Sequence, residues 1–281
     1  MIEVLIAFGI FAGLGLVLGL LLALAAKLFA VEEDERVEKI AALLPGANCG
    51  GCGYAGCHAL AEAIVKGEAK PTACKASDAA HVRQMSEIMG IKVEQSERMR
   101  AQVMCSGTTE FAKKKFIYEG LEDCFAASKL AGGSKLCPNG CIGLGSCAKA
   151  CPFGAISVQE GVAVVDYDLC KGCGVCVATC PKHLIELIPY NSRHWVGCKS
   201  VDNGKITRSY CDVGCISCRM CERGCEAGAI TVDENVAHID YAKCTGCDKC
   251  VDKCPRKIIW SSEVQDDGLV IRRVNIRPDP Q

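Results

Sequence analysis

Aromatic residues are scarce in this chain of 281 residues: they make up 5 % of it, with 2 tryptophans, so no large aromatic core can be built. An excess of charge of either sign is missing too. Set against each other, 32 Lys and Arg and 33 Asp and Glu leave a formal net charge of −1, and no basic run is long enough to suggest a nucleic-acid partner. A dinucleotide-binding loop is also absent. Gly140, Gly143 and Gly145 lie between cysteines, not between a strand and a helix, and the phosphate cradle needs that second context. No constellation of His, Asp or Ser forms a substrate site, so no catalytic residue of its own is expected.

What the chain has in abundance is cysteine, 24 residues, and glycine, 29. The densest stretch runs from Cys211 to Pro255. Within it Cys215, Cys218, Cys221 and Cys225 are spaced x2, x2, x3, and Cys244, Cys247, Cys250 and Cys254 repeat that spacing. This is the pattern of two-cluster bacterial ferredoxins, in which the fourth cysteine of each run ligates the other run's cluster. Three thiolates two residues apart wrap one loop around one face of a cubane; the fourth, beyond a short helical turn, points across to its neighbour. Cys215, Cys218, Cys221 and Cys254 are thus assigned to one [4Fe–4S] cluster, and Cys225, Cys244, Cys247 and Cys250 to another. A disulfide scaffold fits poorly, because thiols this close in sequence seldom have bridging geometry with their neighbours. Zinc sites built on CxxC pairs rarely need a third cysteine two residues on, or a Cys-Pro ending.

At the other end, Val4 to Ala26 is a stretch of 23 residues without a charge. As a helix it measures about 35 Å, enough to cross a hydrocarbon core of about 30 Å. A cleaved signal peptide is the competing reading, but Glu3 precedes the run, no Lys or Arg does, and the run exceeds a normal signal core. Residues 1–30 therefore read as an uncleaved single-pass transmembrane anchor. Lys27, Arg36 and Lys39 follow it, which places the C-terminal bulk on the cytoplasmic side of the inner membrane by the positive-inside rule. Gly9, Gly13, Gly15 and Gly19 form two small-xxx-small pairs suited to packing on other membrane helices. An amphipathic helix is expected over Glu32–Leu44, stopping at Pro45-Gly46. Cys49, Cys52, Cys57 and Cys74 follow, four thiolates for a single [4Fe–4S] site in a small helical domain over 31–78. His58 beside them reads as a surface histidine. Residues 79–104 read as a helix broken at Gly90 and then a polar, charged segment, together a linker between two cluster modules.

Beyond the linker the chain repeats itself with a period of 74 residues. Cys124, Cys137, Cys141, Cys147 and Cys151 match Cys198, Cys211, Cys215, Cys221 and Cys225, and Cys170, Cys173, Cys176 and Cys180 match Cys244, Cys247, Cys250 and Cys254. The connecting segments AISVQEGVAVVD and AITVDENVAHID each read as a tight hairpin, with Gly161 and Asn235 at the left-handed turn position. Two ferredoxin-like units result, 105–188 and 189–262, followed by a polar tail over 263–281. The fold class is α+β: a transmembrane helix, a small helical iron–sulfur domain and a duplicated two-cluster ferredoxin-like domain.

The copies differ at one position, where Leu144 stands in place of Cys218. Cys151, Cys170, Cys173 and Cys176 still make a complete site. The partner site keeps Cys141, Cys147 and Cys180; either Cys137, preferred for its closeness in sequence, supplies the fourth thiolate, or the site holds a [3Fe–4S] cluster. Cys105, Cys124, Cys198 and Cys211 remain. They could close a sixth cubane joining the two units, or be buried inert thiols.

The order of parts, an apolar N-terminal span, CGGCGYAGC with the distant Cys74, then ferredoxin runs ending in Cys-Pro, resembles the B subunit of the Rnf ion-translocating electron-transport complex. The likeness covers the chain up to about Trp260. Two ferredoxin pairs instead of one, Leu144, and Glu226 in place of a proline after Cys225 are its departures. The cysteine runs make five clusters, with a sixth open; the resemblance implies that Cys49, Cys52, Cys57 and Cys74 hold the first and the ferredoxin runs those that follow, in part of a translocase exchanging electrons between ferredoxin and NAD, coupled to Na+ or H+ export. Its implied partners are soluble ferredoxin, the membrane and the A, C, D, E and G components of the Rnf complex. The competing class is a membrane-anchored polyferredoxin serving a hydrogenase or a corrinoid methyl-transfer system.

Overall fold

The structure, a computed structural model, describes residues 2–28, 34–92, 97–263 and 272–273. It opens with α1 (Ile2–Leu28), a helix of 27 residues rich in Leu, Ala and Gly. Among the described residues its large side chains find nothing to pack on: Phe11, Leu14, Leu16, Leu18, Leu20 and Leu21 are all exposed although they point to every side of the helix. The side chains are described without a break only over 11–25, and among the described residues no helix is long and apolar enough to cross a membrane. Glu32, the expected start of the next helix, lies outside the described residues.

A small helical module follows: α2 (Glu35–Leu43), α3 (Cys57–Val65) and α4 (Ala79–Met89). Asp34 caps α2 by accepting from the Arg36 N–H at 2.9 Å, and its carboxyl is lowered to about 2 by the guanidinium of that same residue. Apolar residues at helical spacing bring Ile40, Leu60, Ile64 and Met85 into one core. Met85 belongs to the segment expected to be a linker. That expectation is corrected here: α4 packs into the helical module and ends at Gly90, with φ of 65°, while residues 99–103 form a strand of the next domain. The helix and its end at Gly90 are legible in the sequence; its packing on α2 and α3 through Met85 is not.

Each ferredoxin-like unit is built on the expected hairpin. In the first, β2 (Ile156–Gln159) pairs with β3 (Val162–Val165), and in the second β6 (Ile230–Asp233) pairs with β7 (Val236–Ile239). Both turn residues take positive φ in each copy: 48° at Glu160 and 74° at Gly161, 45° at Glu234 and 66° at Asn235. This is the two-residue turn that suits the right-handed twist of short strands. A second strand pair flanks each unit. There β1 (Met99–Val103) pairs antiparallel with β4 (Ile185–Pro189), and β5 (His194–Val196) with β8 (Ile259–Glu263). Short helices punctuate the cysteine loops: α5 (Cys124–Lys129), α6 (Ser146–Lys149) and α7 (Val175–Thr179) in the first unit, and α8 (Gly204–Tyr210), α9 (Met220–Arg223) and α10 (Lys249–Lys253) in the second; all but α8 include one cysteine. A last short strand, β9 (Arg272–Arg273), adds to β8; the rest of the tail after residue 263 lies outside the described residues.

The two units share a core that holds both tryptophans. Trp195, fully buried, stacks on Trp260 at 6.5 Å and meets Tyr167 edge-on at 6.4 Å. Arg100 lies 4.0 Å above the Tyr167 ring and donates to the carbonyls of Tyr190 at 3.1 Å and Ser192 at 2.9 Å. Burial pushes its pKa down, but carbonyl dipoles and aromatic faces satisfy the cation. The scarce aromatic material is thus concentrated where the repeats meet. Trp195→Ala is expected to destabilise the chain by about 3–5 kcal/mol, seen as an earlier denaturant midpoint by circular dichroism.

Candidate metal centres

Near the N-terminus, Cys49, Cys52, Cys57 and Cys74 line one cavity. The loop before α3 is held by Asn48, whose side-chain oxygen accepts the Cys57 N–H at 2.8 Å. His58 lies outside this cavity and pairs with Glu62 at 3.2 Å. Gly51 is needed for close approach: a Cβ there would stand 2.5 Å from the carbonyl oxygen of Cys173. The loop of this module therefore lies directly on a cysteine of the first ferredoxin-like unit.

In that unit burial pushes the Cys176 thiol up to about 12, and neighbouring Cys170, Cys173, Cys147 and Cys151 add to the shift. The Cys173 thiol is raised by burial and then by Cys49, Cys151 and Cys170. Cys151, Cys170, Cys173 and Cys176 are thus brought together as the spacing predicts, with the Ala155 N–H directed at the Cys151 Sγ at 3.4 Å and the Ala101 N–H at the Cys170 Sγ at 3.4 Å.

The site lacking a cysteine at Leu144 departs from expectation. Cys141, Cys147 and Cys180 share a cavity with Cys124, while Cys137 lies in a different one. The cause is a set of hydrogen bonds around α5. Asp123 caps that helix by accepting the Ala126 N–H at 2.8 Å; Ser146 Oγ donates to Asp123 at 2.8 Å, and the Cys124 N–H donates to Ser146 Oγ at 2.6 Å. The Asp123 carboxyl is lowered by these same donors, the Ala126 N–H foremost. Cys124 is thereby fixed against Ser146, the chain neighbour of Cys147. Burial, then Cys124 and Cys180, push the Cys147 thiol up to about 11. Closeness in sequence misled the choice of Cys137. A signal existed: the copy with Leu144 also carries Asp123 and Ser146, where the other copy has Gly197 and Met220.

The second unit follows its spacing. Cys215, Cys218, Cys221 and Cys254 line one cavity. Burial raises Cys250 to about 12, with Cys244 the largest neighbour and Cys247 and Cys221 beside it. Cys225 packs against the same core and receives the Ala229 N–H at 3.3 Å, as Cys151 receives that of Ala155 in the first copy. Glu226, the departure from proline, forms an ion pair with Lys249.

The tentative quartet Cys105, Cys124, Cys198 and Cys211 is corrected by the same exchange. Cys105, Cys198 and Cys211 do share a cavity, but with Cys137 as their fourth member.

These surroundings suit iron–sulfur clusters. Among the described residues no group of three or more His, Cys, Asp or Glu is placed to hold a single metal ion; three thiol quartets, those of Cys49, Cys124 and Cys215, each line a cavity. Backbone N–H groups aim at sulfur, the arrangement that tunes such clusters. The raised thiol pKa values describe the protein without metal, where burial keeps sulfur protonated; bonding to iron removes those protons. As a cluster site, the Cys124 quartet gives a direct test. Cys124→Ala is expected to turn one four-iron signal into a [3Fe–4S] signal by EPR of anaerobically prepared protein, and added Leu144→Cys to restore it, whereas Cys137→Ala leaves that site unchanged.

Residues 44–76 match the FeS family model, an Fe–S cluster domain, and residues 139–184 and 214–258 each match the 4Fe-4S dicluster domain. The chain is 45 % identical over 258 residues to the B subunit of the Na(+)-translocating ferredoxin:NAD(+) oxidoreductase complex of Acetobacterium woodii, an alignment covering 92 % of this chain and 78 % of that protein. It is 42 % identical to the B subunit of the ion-translocating oxidoreductase complex of Methanosarcina acetivorans, over 90 % of this chain and 96 % of the relative. The B subunit of a proton-translocating ferredoxin:NAD(+) oxidoreductase complex from Clostridium ljungdahlii is 40 % identical, over 91 % of this chain and 93 % of the relative. With two tandem dicluster domains behind an Fe–S module, and relatives matched over most of their length, the chain belongs to the family of B subunits of ion-translocating oxidoreductase complexes, the Rnf family.

Proposed function

We propose that the chain is the iron–sulfur electron-transfer subunit of a membrane complex that couples electron flow between ferredoxin and NAD to Na+ or H+ translocation. The observation that carries this reading is the sequence of thiol quartets. Cys49 of the first stands beside Cys173 of the second, Cys176 of the second beside Cys147 of the third, and Cys250 beside Cys221 in the second unit. Five quartets are read as [4Fe–4S] sites: Cys49, Cys52, Cys57 and Cys74; Cys151, Cys170, Cys173 and Cys176; Cys124, Cys141, Cys147 and Cys180; Cys215, Cys218, Cys221 and Cys254; and Cys225, Cys244, Cys247 and Cys250. When bound, the clusters supply one-electron oxidation and reduction; the chain's residues hold them close, exclude water and direct N–H groups at sulfur.

The two ends suit different tasks. Cys247 is exposed at one end, which suits docking of soluble ferredoxin on the second unit. The N-terminal quartet lies in the module that follows α1. That helix exposes apolar side chains on all sides and finds no cover among the described residues, which supports a membrane anchor, with the uncharged sequence from Val4 to Ala26 long enough to span. Basic residues after the helix put the soluble modules on the cytoplasmic side. The flavins and the NAD site then belong to partner subunits of the complex, which take two electrons and a proton per NADH formed.

The test uses the assembled complex in membrane vesicles with reduced ferredoxin as donor. Removing residues 2–28 is expected to release the chain to the soluble fraction and to abolish ferredoxin-driven ion uptake, while the purified chain keeps its iron. Full ion uptake without α1 would overturn the anchor.

A further inference from the structure

Arg100 and Arg193 hold the same place in the two units. Val103 of β1 stands opposite Ile185, and Val196 of β5 opposite Ile259; three places before each valine comes an arginine. A cysteine loop lies on the chain at both arginines. In the first unit the Ala101 N–H, next to Arg100, is directed at the Cys170 Sγ at 3.4 Å, and a Cβ at Gly172 would strike the Met99 carbonyl. In the second, Arg193 donates to the Gly246 carbonyl at 3.2 Å, within the loop from Cys244 to Cys250.

The charge at the two places differs. Arg193, partly exposed, pairs with Asp248 at 3.3 Å. Asp248 is held in turn by the Ser261 hydroxyl at 2.6 Å and lies 2.6 Å from His194 Nε2. By the repeat and the strand register, the first unit has Gly174, Leu187 and Ala101 where the second has Asp248, Ser261 and His194. Gly174 and Asp248 share the left-handed conformation, with φ of 84° and 60°, so the loop keeps its turn while the carboxylate and both its supports are missing.

Arg100 is fully buried. Its guanidinium donates to the carbonyls of Tyr190 and Ser192 and, at 2.6 Å, to the side-chain oxygen of Gln102, all of them neutral. Glu186, opposite Gln102 on β4, is engaged by Lys199. Among the described residues no carboxylate forms an ion pair with Arg100. We infer that this unpaired cation raises the reduction potential of the site formed by Cys151, Cys170, Cys173 and Cys176, an inference that rests on the iron–sulfur reading of that quartet.

A guanidinium keeps its proton at every working pH, and away from water its field is weakly screened. An arriving electron adds one negative charge to the site and takes it from the site it leaves, with no proton or other reactant consumed. A fixed positive charge beside Cys170 favours that reduced form, and local charge is one of the means by which a protein sets the potential of such a group. In the second unit Asp248, the chain neighbour of Cys247, offsets the same gain. The site with the uncancelled cation is also the one on which the N-terminal module lies, through Gly51 and Cys173. Arg100 thus biases electrons from the exposed Cys247 end towards the quartet that follows α1.

The test is an EPR-monitored redox titration of the full chain, reconstituted anaerobically with ferrous iron and sulfide; the component of this site is the one that Cys173→Ser alters. Gln102→Glu is nearly isosteric and sets a carboxylate against the guanidinium, as Asp248 does for Arg193. It is expected to weaken the reduction equilibrium of that component about tenfold, a fall of about 59 mV for one electron, and Arg100→Gln is expected to lower the same potential. Gln102→Met removes the same hydrogen bond without adding charge and is expected to leave the potential in place. A wild-type potential in Gln102→Glu or in Arg100→Gln, or an equal fall in Gln102→Met, would overturn the inference while the site keeps its iron. Should Arg100→Gln fail to fold, the two Gln102 variants decide. The absence of any component altered by Cys173→Ser would instead strike at the iron–sulfur reading of this quartet.

Discussion

Sulfur is part of the core of this protein, and everything else in the fold has to accommodate it. Cys211, Cys215, Cys221, Cys250 and Cys254 are buried in the interior of the second unit, with Cys137 of the first packed into the same core, and Cys105, Cys147, Cys170 and Cys176 are buried in the interior of the first. An ordinary domain would fill these positions with large apolar side chains that pack against one another. Here the hydrocarbon is thin, the hairpins are four residues to a strand, and the cavities between them are bounded by thiols. With iron, each cubane becomes a rigid cross-link between loops distant in sequence, so cofactor binding and folding are one process. The scarcity of aromatics and the wealth of cysteine are two sides of the same arrangement.

Much of this was legible in the residues because cluster ligation is written locally. Three cysteines at x2 spacing must share a loop, and a fourth three residues on lies beyond a helical turn, so the complete runs are read from spacing without tertiary knowledge. The hairpins were equally local: Gly161 and Asn235 stand at a two-residue turn between short apolar runs, where a positive φ is called for. What could not be read this way depended on contacts between distant segments. Whether Cys124 or Cys137 joins Cys141, Cys147 and Cys180 is decided by Asp123 and Ser146, which lie 23 residues apart and meet only in the folded chain. The same limit hid β1, whose partner β4 begins beyond the whole first set of ligands.

The duplication shows how one substitution rearranges a site. In the second copy, which has Cys218, Cys198 lines a cavity with Cys105, Cys137 and Cys211. In the first copy, which has Leu144, Cys124 lines the cavity of Cys141, Cys147 and Cys180, and Cys105 takes up the place that Cys198 holds in its own unit. The repeat aligned by sequence pairs Cys124 with Cys198; the strands pair Cys105 with Cys198. Structural equivalence and sequence equivalence have parted company at this one position, and the divergence is what leaves a matched pair of thiols free on each unit.

That divergence bears on how the two units are held. Segment 105–115 threads between them: the Ser106 N–H donates to the Gly197 carbonyl at 2.8 Å, the Thr109 N–H to Glu160 at 2.9 Å and the Lys113 N–H to Tyr210 at 2.9 Å. Trp260 adds its indole N–H to Ser106 Oγ at 2.7 Å. Backbone contacts to both copies leave the segment little freedom to slide, so the spacing between units is set by the chain itself and not by a flexible tether. A relay needs this. Electron transfer weakens steeply with distance, so two ferredoxin-like units free to swing apart would conduct only in their closed state. Pinning this segment between both units, with the Trp260 indole bonded to it, holds the sulfur sites of the two units at a set separation.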